Sequence, residues 1–243
     1  MQLDNKVIDI NERCIIELVH LTLAFITLIS ILLLFGTLQF TFQIYWLKSN
    51  LQLTRENWWG ILTCALIHET PSHLHKNIEG IIQYTIPILT FLILFNLCTN
   101  KHPKLTVPKL YLSTIIVSQI TSGTATYIIL YIIIQTEIKV TGSSGITYGL
   151  AGLTTAIFFS TLILLHESNK KLKSELKRSF KSLIFITFTL ITTLTLSAIP
   201  LAELLHNTAE FMGATNKGAN VFAHGFGYLS GLAIGIIHIL HYI

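Results

Sequence analysis

The sequence predicts an all-α polytopic membrane protein with six transmembrane helices. Two bulk properties and one pattern support that class. Of the 243 residues, 51% are hydrophobic and 12% charged, and the mean hydropathy is +0.64; a soluble domain carries about 25% charged residues. Six apolar runs are each long enough to cross a bilayer, which takes roughly 20 mostly apolar residues. Basic residues gather on alternate connections between those runs. The runs read as helices because a helix satisfies its own backbone groups in lipid.

The elements follow in chain order. Residues 1–14 carry mixed charge and read as a cytoplasmic tail, and residues 15–243 as one six-span membrane domain. The first run lies within 15–47 and is long enough to tilt or to overrun the interface. It far exceeds the apolar core of a signal peptide, so it reads as a retained anchor. The connection 48–72 carries Trp58 and Trp59. Tryptophan favours the interfacial belt, which puts this loop in or on the outer leaflet. The remaining runs are 74–98, 107–134, 144–166, 180–199 and 221–243. Cys14, Cys64 and Cys98 are few, odd in number and unpatterned, so they indicate neither a disulfide framework nor a cysteine metal site.

Charge sets the orientation. Lys6, Arg13, Lys101, Lys104, Lys109, Lys170, Lys171, Lys173, Lys177, Arg178 and Lys181 fall on one side, and only Lys48, Arg55, Lys76, Lys139 and Lys217 on the other. The side richer in Lys and Arg is cytoplasmic, so both termini are expected there. The basic stretch 170–181 then reads as a topology signal and not as a nucleic-acid site.

Chemistry concentrates at two places. Thr141-Gly142-Ser143-Ser144-Gly145-Ile146-Thr147-Tyr148-Gly149 leads into the fourth run, and His224 stands in the sixth. A serine opening a helix exposes its hydroxyl beside unpaired N–H groups, which are suited to stabilising an oxyanion. Serine is a weak nucleophile until a base takes its proton, and His224 is the candidate base. By the expected topology Ser144 and His224 lie at the same side and similar depth. The alternative is a helix-capping serine and a histidine bonding between helices. Ionisable groups within spans default to a functional hypothesis. Gly227, Gly231 and Gly235 on the sixth run, with Gly145, Gly149 and Gly152 on the fourth, give small-residue faces that let two backbones approach.

The second place is His68-Glu69-Thr70-Pro71-Ser72-His73-Leu74-His75-Lys76-Asn77. His73 and Asn77 are four apart and share a helix face, where both side chains can donate to a developing negative charge. A zinc reading competes, since His-Glu-x-x-His on a helix is a metalloprotease signature. Here the two histidines stand one residue too far apart, and Pro71 interrupts the turn between them. Glu79 lies on a different face from Asn77, and its role and that of His75 stay open.

Together these residues resemble the rhomboid family of intramembrane serine proteases, over residues 59–235. Gly142-Ser143-Ser144-Gly145 matches the family's Gly-x-Ser-Gly. His224, Gly227 and Gly231 match its His-x-x-Gly-x-x-x-Gly. His73 and Asn77 match its His-x-x-x-Asn, with His68 five residues earlier and Tyr148 after the serine motif. Two departures stand out: Trp59 is followed by Gly60 where many members carry arginine, and Cys64 replaces a histidine of some members.

The resemblance implies a rhomboid-like six-helix bundle of the minimal form. It implies a Ser144–His224 dyad without aspartate, Tyr148 packed on His224, and an oxyanion hole from His73, Asn77 and the Ser144 N–H. Gly142, Gly145, Gly227, Gly231 and His68 would support them. Substrates would be single-span membrane proteins reaching the site between the second and fifth spans and cut near the outer face. The implied partners are such proteins and membrane lipid, with no cofactor, metal or nucleic acid. Two other classes remain: a non-catalytic rhomboid-like protein that binds membrane clients, and a small transporter or channel. A transporter or channel would carry more polar groups deep in several spans than Gln83, Gln119 and scattered Thr and Ser.

Overall fold

The computed structural model describes residues 12–98, 107–175, 180–212, 214 and 220–240. The tail through Asn11, Lys101, Lys104, Lys177, Arg178, Lys217 and residues 241–243 lie outside them, as do parts of the connections predicted around them. Among the described residues the long elements are α1 (Glu12–Phe40), α4 (Pro71–Cys98), α5 (Val107–Tyr127), α6 (Ser144–Glu175), α7 (Phe180–His206) and α9 (Val221–Leu240). Short helices α2 (Tyr45–Leu51) and α3 (Gly60–Thr63) sit between α1 and α4, and α8 (Thr208–Phe211) follows α7. Six of the helices are long and apolar enough to cross a membrane, and the chain is an all-α multi-pass membrane protein.

α6 is the centre of the bundle. In its most apolar window 72% of residues are buried, against 11% for α1, and it packs on α4, α5, α7 and α9. α1 packs on α4 and α5 and turns Ile16, Leu23, Ile26 and Leu34 outwards, as a lipid-facing helix does. Many of the buried hydroxyls of the spans are satisfied locally. Thr85, Thr114, Thr155, Ser160, Thr161, Thr189 and Thr193 each donate to the carbonyl four residues earlier, which removes the cost of a bare hydroxyl in an apolar interior.

The helix starts that face the site are fixed by side chains. Pro71 opens α4, where its missing N–H costs nothing, and Thr70 Oγ1 accepts from His73 N at 3.1 Å. Asn220 caps α9, accepting from Ala223 N at 3.2 Å and donating to Thr126 Oγ1 at 2.9 Å. That second bond fixes the start of α9 against the far end of α5.

Several element ends differ from the hydropathy reading, each for a local reason. The first run is two elements: α1 stops at Phe40 and α2 starts at Tyr45, with Gln43 at φ 53 between them. A left-handed residue ends a helix. α5 passes into a π-helical turn over Ile128–Ile133. α6 continues to Glu175 beyond its apolar part, and α7 runs through Pro200 to His206. Trp58 and Trp59 of the 48–72 connection are both exposed, with Phe42, Tyr45 and Trp46, an aromatic collar of the kind found at membrane interfaces.

Candidate active site

Ser144 is the first residue of α6. Its N–H belongs to the first turn and has no carbonyl within the helix to meet. The turn before it is fixed from three directions. Gly142 N donates to Cys64 O at 2.8 Å. Leu53 and Val140 exchange both backbone hydrogen bonds, at 2.9 and 3.0 Å. Ser143 N donates to His68 Nε2 at 3.3 Å, and Ser143 Oγ lies 3.2 Å from the same nitrogen. The connection between α1 and α4 is therefore stitched to the approach to Ser144.

Gly142 has φ +106, a conformation natural to glycine alone. A Cβ there would also meet His73 Cε1 at 2.6 Å and Nε2 at 2.9 Å, with Asn77 Nδ2 at 3.5 Å. So His73 and Asn77, one turn apart on α4, both face the backbone corner that ends at Ser144. Thr147 Oγ1 lies 3.5 Å from Asn77 Oδ1, which fixes the carbonyl side of that amide. Its other end, Nδ2, is buried and has no hydrogen-bond partner. A buried amide donor without an acceptor is costly, and this one faces the backbone corner at Gly142.

His68 is fully buried, and its ring meets His73 edge-on at 5.2 Å. Burial, then the neighbouring His73, lowers its pKa to about 3. Nε2 accepts from Ser143 N, so the proton sits on Nδ1, which is buried and unpartnered. His68 is thus a neutral acceptor that holds the turn. Burial raises the Cys64 thiol to about 11, against a smaller opposing hydrogen bond from Gln119, so Cys64 is a packing group here and not a nucleophile.

α9 carries His224 against α6 along the glycine seam. A Cβ at Gly227 would run into Gly145 O, one at Gly231 into Gly149 O, and one at Gly152 into Tyr228 O. His224 stacks flat on Tyr148, centroids 4.1 Å apart and planes within 11°. Its Nδ1 lies 2.7 Å from Met212 O. A carbonyl only accepts, so Nδ1 carries the proton and Nε2 keeps a lone pair. The Tyr148 hydroxyl donates to Phe211 O. Among the described residues no hydrogen bond joins Ser144 Oγ to His224, whose ring is engaged through Nδ1.

A cavity of about 10 Å³ opens behind Ser144, lined in part by Cys64, Gln119, Ser122, Thr126 and Asn220. It has room for about one water molecule.

The sequence-derived residues Ser144, His224, His73, Asn77, Tyr148, His68, Gly142, Gly145, Gly227 and Gly231 all gather at this end of the bundle. Sequence reasoning missed Gln39, which binds the His68 backbone from α1, and Asn220, whose place directly before an apolar run is a capping signal. It also missed the carbonyls of Phe211 and Met212, which no side-chain motif encodes. His75 and Glu79 are exposed. Comparison with family models, with curated proteins and with solved structures finds no match for this chain.

Proposed function

We propose that the chain is an intramembrane serine endopeptidase of the rhomboid type, acting through Ser144 and His224. One observation carries this reading. The helix-opening Ser144 shares its corner with the unpartnered buried amide of Asn77, while His224, its Nδ1–H engaged by Met212 O, is brought against the same helix. An unsatisfied donor beside a nucleophile and a single-tautomer imidazole is costly for a purely structural core and useful for acyl transfer.

In the proposed reaction His224 Nε2 takes the Ser144 proton as Oγ bonds to the peptide carbonyl carbon. The carbonyl oxygen becomes an oxyanion held by Asn77 Nδ2, His73 and the Ser144 N–H. The His224 imidazolium gives its proton to the leaving amine, the C–N bond breaks, and an acyl-serine remains. His224 then takes a proton from water as the water oxygen bonds to the ester carbon, and returns it to Oγ as the acyl C–O bond breaks, releasing the carboxylic acid and Ser144. The small cavity beside Ser144, lined in part by Gln119, Ser122, Thr126 and Asn220, has room for that water. Tyr148 and Met212 O do for the ring what a carboxylate does in a triad, without the charge. Substrates are single-span membrane proteins approaching between α4 and α7. With both termini cytoplasmic, the site opens to the outer side.

The test is cleavage of single-span substrates by purified protein in detergent, beside Ser144→Ala and His224→Ala, with and without a chelator. Labelling by a serine-reactive fluorophosphonate runs in parallel. Chelator-resistant cleavage lost in both variants is expected. Cleavage that survives Ser144→Ala sinks the mechanism, and a wild type that neither cleaves nor labels favours a client-binding role.

A further inference from the structure

The base is held by a segment outside both helices of the seam. α7 ends at His206, one residue intervenes, and α8 is the single turn Thr208–Phe211. That intervening residue, Asn207, organises the turn. Its Oδ1 accepts from Glu210 N at 3.2 Å, its Nδ2 donates to Glu210 Oε2 at 3.0 Å, and its own carbonyl accepts from Phe211 N at 2.9 Å. Thr208 O takes Met212 N at 3.0 Å. The turn then presents two successive carbonyls inwards: Phe211 O to the Tyr148 hydroxyl and Met212 O to His224 Nδ1. The Phe211 ring is wedged edge-on between Tyr148, at 5.1 Å, and Tyr228, at 5.8 Å.

We propose that Asn207 is a positioning residue for the base, acting through the capped turn of α8 whose Met212 carbonyl selects the His224 tautomer. The proposal rests on the serine-protease reading for its kinetic consequence. Imidazole has two neutral tautomers, and only the one protonated at Nδ1 leaves Nε2 able to take a proton. In a triad a carboxylate makes that choice. Here a neutral carbonyl makes it, and its position depends on a turn too short to stand alone. The side chain of Asn207 supplies the acceptor that such a turn needs at its N-cap. Asn207 and Glu210 are both exposed, so Asn207 contributes through the turn and not through core packing.

The experiment compares Asn207→Ala, which removes the cap, with Asn207→Ser, which keeps an acceptor oxygen. Three readouts are taken on purified full-length protein: kcat and KM on a single-span substrate, the rate of fluorophosphonate labelling at Ser144, and the imidazole ¹⁵N spectrum, with His224→Ala to identify the His224 signals. In Asn207→Ala, kcat and the labelling rate are expected to fall together by about tenfold with KM within about twofold, as for a misplaced catalytic group. The ¹⁵N spectrum is expected to pass from one His224 tautomer to a mixture, and Asn207→Ser is expected to restore all three. Wild-type kcat, labelling and spectrum in Asn207→Ala, or equal loss in the Ala and Ser variants, would overturn the proposal. If the wild type neither cleaves nor labels, the protease reading fails instead, and the spectrum still decides whether Asn207 sets the tautomer.

Discussion

Gln39 clasps the peptide backbone of His68 from both sides. Its Oε1 takes His68 N at 3.0 Å, and its Nε2 gives to His68 O. The pair joins the end of α1 to the turn before α4, and His68 passes the constraint to Ser143. Replacing Gln39 with Leu leaves a buried N–H and a buried C=O unsatisfied. The expected loss is about 1–3 kcal/mol of stability, read as a lower midpoint in detergent-driven unfolding. Labelling of Ser144 should slow as well. An unchanged midpoint would show that the clasp carries no weight.

His68 makes stability depend on pH. Its ordinary value of 6.5 falls to about 3 in the fold. As pH drops through 6.5 the unfolded chain takes a proton that the folded chain refuses, so its contribution is complete above 6.5 and is lost between 6.5 and about 3. The slope from one such group is at most about 1.4 kcal/mol per pH unit. The difference between wild type and His68→Gln isolates it. The variant should show the shallower fall in stability between pH 6 and 4, and parallel curves would contradict the assignment.

The glycines of α9 divide sharply. Gly231→Val would drive a side chain into the Gly149 backbone, with an overpacking cost of about 1–3 kcal/mol and loss of Ser144 reactivity as the helices part. Gly225, next to His224, has nothing within 4 Å of its would-be Cβ. Gly225→Ala should therefore be neutral or stabilising by about 0.4–1 kcal/mol. Thermal unfolding of the two variants side by side checks both directions, and equal effects would discount the seam.

Tyr84 on α4 donates to Glu203 Oε2 on α7 at 3.3 Å. Tyr84→Phe deletes only that bond. If substrates pass between these helices, the variant should cleave a single-span substrate faster, by about two- to tenfold for a bond of ordinary net strength. The small fluorophosphonate should label it at the wild-type rate. Acceleration of both, or of neither, would detach this bond from substrate access.

The spans were legible because lipid demands long apolar runs and this chain supplies them. Their ends were less so. The stop of α1 depends on one left-handed residue, Gln43, inside an otherwise permissive stretch, and the continuation of α6 to Glu175 runs through lysines that a hydropathy reading assigns to a loop. At this end of the bundle, the gathering of Ser144, His224, His73 and Asn77 was legible from residue type and spacing, and that of Tyr148 from the family resemblance. The groups that hold them were not: a carbonyl such as Met212 O has no letter of its own, and Gln39 gains its meaning only when the fold brings it to His68.

At the seam of α6 and α9 the backbones of Gly145, Gly149 and Gly152 meet those of Gly227, Gly231 and Tyr228 with no side chain between them. Their separation is a dimension of two touching backbones, with no rotamers to populate and no methyl group to trim. Such a gauge offers a protein engineer nothing to adjust. Room for adjustment lies across the bundle, between α4 and α7, where side chains such as Tyr84 and Glu203 meet.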